Sequence, residues 1–338
     1  MSPSVEVWFE LSACASILAV AGFRLSRYGD IIADKSGLSG SWIGLVLLAS
    51  VTSLPELVTG VSSIVAAQAP NIAVGDVLGS CVFNLAILVV VDILHRPESV
   101  YRRTSQGHIL SAAFGIVLTG LAGLGILLAG RPVAMAIAHV GAYTPVFLIV
   151  YFVAVRSIFD YEREQLREHV ADEASRYPDI TLRQAAAQYA VAAAAVLAAG
   201  IWLPFVGVRL AEAMGWHKSF VGTLFVAGAT SLPELVVTLA ALRIGAIDMA
   251  ISNLLGSNLF NIAILAVDDV LFTRGPLLSF VAPVHALTAA SASIMTGIVV
   301  IGLLYRPRAR FFLLFGWVSL GLLAVYLLNT YFLFLHGE

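Results

Sequence analysis

Two glutamates stand where a lipid-embedded chain should least tolerate them. Glu56 lies in VTSLPEL, residues 51–57, and Glu234 in ATSLPEL, residues 229–235. A charge at bilayer depth costs roughly 3 kcal/mol or more and usually marks function. No basic residue lies near either glutamate in the sequence. The neutralising charge is then a visiting cation or a proton. Thr52 and Glu56 are four residues apart and share a helix face, as do Thr230 and Glu234; Ser53 and Ser231 sit alongside. Pro55 and Pro233 lack the N–H that would bond four residues back, which frees the carbonyls of Val51 and Ala229. Freed carbonyls survive at membrane depth only where protein or a water-filled cavity covers them. Each stretch therefore offers a carboxylate, two hydroxyls and loosened carbonyls. All are hard oxygen ligands of the kind that suits Na⁺ and Ca²⁺.

A second pair of stretches adds to these. GSCVFN covers residues 79–84 and GSNLFN covers 256–261. Ser80 and Asn84 are four apart, as are Ser257 and Asn261. The amide oxygens of Asn84 and Asn261 can face a cation without adding charge. The leading glycine of each stretch lets helix backbones approach closely.

The elements that must position these groups follow from composition. Of 338 residues, 59% are hydrophobic and 12% charged, against about half and a quarter for a soluble domain. The lipid bilayer must solvate most of this surface. A formal net charge of −2 gives no hint of a nucleic-acid partner. Cys14 and Cys81 both lie in apolar runs and make no disulfide framework. Runs long enough to cross, about 20 residues each, fall near 5–24, 41–67, 70–94, 108–129, 133–156, 184–207, 218–243, 246–272, 278–303 and 309–335. The first has no basic flank before it and reads as a mature helix. The expected fold class is all-α: an integral membrane protein of ten transmembrane helices. A first unit spans 1–156 and a second spans 184–338. Between them residues 157–183 form a charged linker, which reads as a solvated connector. With ten helices, 15 of the 19 basic residues fall on the linker's side of the membrane. That bias puts the linker in the cytoplasm and both termini outside, across a cell (inner) membrane.

The two units repeat each other. GLVLLASVTSLPEL from Gly44 matches GTLFVAGATSLPEL from Gly222, and NIAVGDVLGSCVFNLAIL from Asn71 matches MAISNLLGSNLFNIAIL from Met249. Five helices per unit is an odd number, so the second unit enters from the opposite side. This is the inverted-repeat plan of secondary transporters, which brings matching broken helices together near the midplane.

On these motifs the chain resembles the cation/calcium exchanger superfamily, and within it the prokaryotic sodium/calcium exchangers. The resemblance implies an antiporter that exchanges Ca²⁺ for Na⁺, with no prosthetic cofactor. It implies Glu56 and Glu234 as shared central ligands, with oxygens from Thr52, Ser53, Ser80, Thr230, Ser231 and Ser257. It adds the backbone carbonyls of Ala49 and Ala227, and lets Asn84 and Asn261 complete the ring. It also implies a sliding pair of helices near 5–24 and 184–207. The chain departs from the pattern at Asn261, where well-studied members carry an acid. Two central carboxylates balance one Ca²⁺, two Na⁺ or two protons, so the sequence predicts electroneutral or proton-coupled exchange; K⁺ coupling is a further alternative. Asp76, whose counterpart is Asn253, lies one turn before Ser80 and is a candidate access ligand that restores the charge. Asp92 and Asp269 match across the units and read as structural or gating groups. Cys81 stands where the usual motif has Asn and reads as packing.

A cation channel fits poorly with broken helices in inverted repeats. A membrane-embedded enzyme would need an acid–base or nucleophilic set. None of the seven His lies near the TSLPE stretches, and no HExxH motif is present.

Overall fold

The computed structural model describes residues 3–36, 49–95, 99–102, 107–129, 136–166, 177, 179–243, 247–307 and 316–336. Nearly all of them are helical. In chain order the helices are α1 (Pro3–Ser36), α2 (Ala49–Thr52), α3 (Leu54–Val65), α4 (Pro70–Leu94), α5 (Gly107–Leu128), α6 (Tyr143–Leu166), α7 (Leu182–Met214), α8 (Lys218–Val221), α9 (Ala227–Thr230), α10 (Leu232–Arg243), α11 (Ile247–Leu271), α12 (His285–Tyr305) and α13 (Trp317–His336). A π-helical turn, Gly222–Val226, joins α8 to α9. A two-stranded hairpin, Ala136–Ile137 with Val140–Gly141, precedes α6.

Eight described helices are long and apolar enough to cross a membrane, and nine if the pair Lys218–Thr230 and Leu232–Arg243 is one span bent by 42°. The run expected at 41–67 is described from Ala49 onward, as α2 and α3; its first part lies outside the described residues. The fifth run, expected from 133, starts as a helix at Tyr143, because residues 136–141 turn back as the hairpin. Helix α6 then carries ten residues into the segment read as linker.

The apolar core falls into two parts. One is a seam between α1 and α7, in which Leu11, Cys14, Leu18 and Ala21 bury with Val196, Ala199, Leu203 and Val206. These two helices have 34 and 33 residues. At 1.5 Å per residue each is about 50 Å long, well beyond the hydrocarbon thickness. An ion pair between Glu10 and Arg209 also ties them. The larger part of the core joins α4, α5, α6, α11, α12 and α13. Large apolar side chains that face outward, such as Phe9, Ile149, Phe152, Leu304 and Leu327, suit a lipid surface.

The α1–α7 pair touches the rest of the bundle at glycines. A Cβ at Gly22 of α1 would collide with the Pro233 ring on α10. A Cβ at Gly200 of α7 would lie 2.8 Å from Val58 Cγ1 on α3. Both contacts fall beside a TSLPE break.

Candidate functional site

Each break is local and has one geometry. The helix stops at Ser53, φ −88° and ψ 10°, and at Ser231, φ −84° and ψ 7°. The break therefore comes two residues before each proline, and Pro55 and Pro233 become the second residue of the next helix, where the missing N–H costs nothing. Glu56 and Glu234 fall in the first turns of α3 and α10. Helix N-termini favour anionic groups there.

The two breaks face each other and exchange hydrogen bonds. Ser53 Oγ donates to Glu234 Oε1 at 3.0 Å, and Ser231 Oγ donates to Glu56 Oε1 at 3.1 Å. Neither stretch completes its own carboxylate. Ser231 Oγ also lies 2.9 Å from Ser80 Oγ, whose own hydroxyl can donate to it. Thr52 Oγ1 lies 3.4 Å from Ser257 Oγ, and Thr230 Oγ1 lies 3.5 Å from Ser80 Oγ. Each threonine thus meets the serine of the other unit's second motif. Thr52 Oγ1 donates to the Ala49 carbonyl at 3.2 Å, and Thr230 Oγ1 lies 3.1 Å from the Ala227 carbonyl.

Asp76 belongs to this cluster. Thr230 Oγ1 donates to Asp76 Oδ1 at 2.7 Å. Its counterpart Asn253 stands in the matching place, where Thr52 Oγ1 reaches Asn253 Oδ1 at 3.4 Å. The other two amides take different roles. Asn84 Nδ2 donates to Asn258 Oδ1 at 3.0 Å, and Asn258 Nδ2 donates to the Cys81 carbonyl at 3.0 Å. Asn258 was not among the sequence candidates, although it stands in the GSNLFN motif opposite Cys81. Asn261 makes no hydrogen bond at either end of its amide.

Every sequence candidate with a side-chain role is buried here: Glu56, Glu234, Asp76, Thr52, Ser53, Thr230, Ser231, Ser80, Ser257, Asn84 and Asn261. Buried polar atoms normally find partners. Glu56 Oε2, Glu234 Oε2, Asp76 Oδ2 and Asn84 Oδ1 have none. Among the described residues no Lys or Arg pairs with these carboxyls. No three acidic, His or Cys side chains converge on one point among the described residues; hydroxyls and amides stand between the carboxyls. Four unpartnered oxygens, framed by fixed hydroxyls, are a donor set for a hard cation.

Asp92 and Asp269 stand apart from this cluster. Asp269 accepts from Gly141 N, Tyr143 OH, Thr144 Oγ1 and Leu277 N at 2.8, 2.6, 2.5 and 2.6 Å. Asp92 accepts from Ser99 Oγ, Val100 N and Ser319 Oγ at 3.2, 3.1 and 2.7 Å. Each aspartate caps the short 3₁₀ turn that begins eight residues later, and hydroxyls from another helix hold it: Ser319 for Asp92, Tyr143 and Thr144 for Asp269. Tyr101, buried beside Asp92, has its phenol raised above the ordinary range, first by burial and then by that charge.

Fold and site together define a class: a multi-pass helical membrane protein built around a buried oxygen cluster on broken helices. A family described as sodium/calcium exchanger protein matches residues 7–158 and 185–335, and the chain belongs to that family. It is 29% identical over 261 residues to the sodium/calcium exchanger MaX1 of Methanosarcina acetivorans, covering 70% of this chain and 74% of that one. It is 25% identical over 260 residues to the inner membrane protein YrbG of Escherichia coli, covering 75% and 76%. Its fold resembles that of the solved sodium-calcium exchanger NCX_Mj, with a TM-score of 0.61 at 19% identity over 96% of this chain and 98% of the other.

Proposed function

We propose that this protein is a secondary antiporter that exchanges Ca²⁺ for Na⁺ by alternating access at the cluster around Glu56 and Glu234. The observation that carries the reading is the reciprocal pair of bonds, Ser53 to Glu234 and Ser231 to Glu56, which leaves one oxygen of each buried glutamate unpartnered, with no Lys or Arg paired to either among the described residues. The cation ligands are Glu56, Glu234 and Asp76, with hydroxyls of Thr52, Ser53, Thr230, Ser231, Ser80 and Ser257. The amides of Asn84 and Asn261 and the carbonyls of Ala49 and Ala227 complete the set.

The architecture in this reading is two inverted five-helix units, residues 1–156 and 184–338. The matched breaks, the matched aspartate caps and the crossed threonine–serine contacts support it. The long α1–α7 pair slides over the core at Gly22 and Gly200, opening the cluster first to one side and then to the other. The linker lies in the cytoplasm and both termini lie outside.

Asp76 raises the formal carboxylate count at the cluster from two to three. Three negative charges balance three Na⁺, whereas a single Ca²⁺ leaves one of them uncompensated, so three Na⁺ against one Ca²⁺ moves one net charge per cycle. The two-carboxylate, electroneutral expectation is replaced here by exchange that carries net charge. The test is ⁴⁵Ca²⁺ uptake into proteoliposomes under separate Na⁺, K⁺ and pH gradients. Uptake should follow the Na⁺ gradient, and both Glu56→Gln and Glu234→Gln should abolish it. Uptake that follows pH alone would assign a Ca²⁺/H⁺ antiporter instead. Uptake that needs no counter-ion gradient and does not saturate would assign a channel.

A further inference from the structure

One buried carboxylate has no role in the cluster described above. Asp268 on α11 is fully buried, and neither of its oxygens has a hydrogen-bond partner. Its neighbour Asp269 takes four donors. Asp268 is seven residues past Asn261 and so shares its helix face, about 10 Å further along the axis. Across from it is Gly60 on α3, one turn past Glu56. A Cβ at Gly60 would lie 2.5 Å from Asp268 Oδ2 and 2.9 Å from Oδ1. The missing side chain is what admits the carboxyl. Ser63 follows on the same face of α3, fully buried and with its hydroxyl also unpartnered. Asp76 stands near the start of α4, which packs against both α3 and α11, and has its own unpartnered Oδ2.

These groups break the internal symmetry in one direction. The counterparts of Asp76, Asp268 and Gly60 in the other unit are Asn253, Val91 and Thr238. One end of the molecule, where α3 and α11 finish, therefore holds two buried carboxylates without a counterpart, besides the matched Asp269. The other end holds none at the matching places, and there Asn253 Nδ2 reaches Thr238 Oγ1 at 3.5 Å. Packing alone gives no reason for this difference. A buried carboxylate without a donor is among the costliest groups a fold can hold.

Building on the antiporter reading above, we propose that Asp268 and Asp76, with Ser63, form a second cation site in series with the central one. It takes Na⁺ or Ca²⁺ on the side where α3 and α11 end, which is the outer side in that reading. An ion passes from Asp268 to Asp76 Oδ2 and from there to the central cluster, to which Thr230 already links Asp76. The site makes entry from the two sides unequal.

The experiment uses Asp268→Asn, an isostere that removes the charge and keeps the shape. Half-saturating Ca²⁺ for ⁴⁵Ca²⁺ transport is measured from each side, in vesicles of both orientations. The expected result is a rise of roughly tenfold on the outer side, the scale of one lost charge at this separation, with the inner value changed less than about twofold. No shift on either side, or equal shifts on both, overturns the proposal. If Asp268→Asn fails to fold, equilibrium ⁴⁵Ca²⁺ binding to Glu56→Gln/Glu234→Gln decides. Residual saturable binding supports the outer site, and none overturns it. Failure of the antiporter reading looks different: Glu56→Gln alone would then still transport.

Discussion

Asp76→Asn separates the three-carboxylate site from the two-carboxylate one. In the structure Asp76 Oδ1 accepts from Thr230 Oγ1 at 2.7 Å. A cation ligated by that hydroxyl at about 2.4 Å would lie no more than roughly 5 Å from the carboxylate oxygen. At an effective dielectric of about 20, one unit charge at that distance interacts by about 3 kcal/mol. The asparagine keeps the shape and still accepts from Thr230, so the loss is one of charge. Relief from burying a third carboxylate takes back part of it. The expected outcome is a rise of at least about tenfold in half-saturating Na⁺, and a larger rise for Ca²⁺, whose double charge doubles the electrostatic loss. The second readout is current. Proteoliposomes carrying the native chain should pass net charge with each Ca²⁺ exchanged. The variant, left with Glu56 and Glu234, should approach electroneutral exchange. Both are measured in one preparation, with ⁴⁵Ca²⁺ flux against a voltage-sensitive dye. Native half-saturation together with native charge per Ca²⁺ in the variant would refute the assignment and return the site to two carboxylates.

Other outcomes follow from the same geometry. Ser53→Ala and Ser231→Ala each remove a hydrogen bond to the opposite unit's glutamate, a bond to a charged group worth about 1.5–3 kcal/mol. Half-saturating Ca²⁺ should rise by tenfold or more in both, on the order of that energy, and a large effect in only one would deny the crossed pairing. Asp269→Ala leaves two backbone N–H groups and two hydroxyls without their acceptor. It should lower the thermal midpoint in detergent by several degrees while folded protein keeps its Ca²⁺ half-saturation; a selective loss of transport would make Asp269 a gating group instead. Gly200→Val puts a branched side chain against Val58. It should slow exchange several-fold while equilibrium ⁴⁵Ca²⁺ binding persists, and unchanged turnover would argue against sliding at that surface.

The central pairing was legible because its signal is repeated. TSLPE occurs twice at matching places, and a glutamate in an apolar run has few explanations, so Glu56 and Glu234 could be read together before any coordinates. The crossed bonds of Ser53 and Ser231 are what the proposed inverted repeat would produce. Helix ends were harder to read. Hydropathy ran from 133 without a break, and nothing apolar distinguishes the hairpin at Ala136–Gly141 from a helix start. The break itself falls at Ser53 and Ser231 rather than at the prolines, because a proline near a helix N-terminus starts a new helix instead of interrupting an old one. Asp268 was hidden by its neighbour. Asp269 matched Asp92 across the repeat, and that match drew the reading away from the one aspartate of the pair that has no counterpart. The seven-residue step from Asn261 was the available signal. Asn258 gives no matched signal, because its counterpart, Cys81, is not a ligand type for hard cations.

Exchange rather than leak follows from where the counter-charges are absent. The carboxyls of Glu56, Glu234 and Asp76 are buried, and among the described residues no Lys or Arg pairs with them. Water and cations can meet that cost when the cluster is open to one side. In the proposed cycle, the α1–α7 pair crosses between sides while neither side's water reaches the cluster, and uncompensated charge would be left in a low dielectric at a cost of several kcal/mol per ion. A loaded cluster avoids the cost. The serines tighten the rule, because Ser53 and Ser231 each donate to the glutamate of the other TSLPE stretch, so the two breaks hold each other's carboxylates. A resident lysine or arginine would remove the penalty and with it the obligation to carry an ion across. Introducing one at Ala49 or Ala227 should therefore weaken the coupling between Na⁺ and Ca²⁺ movement rather than merely reduce transport.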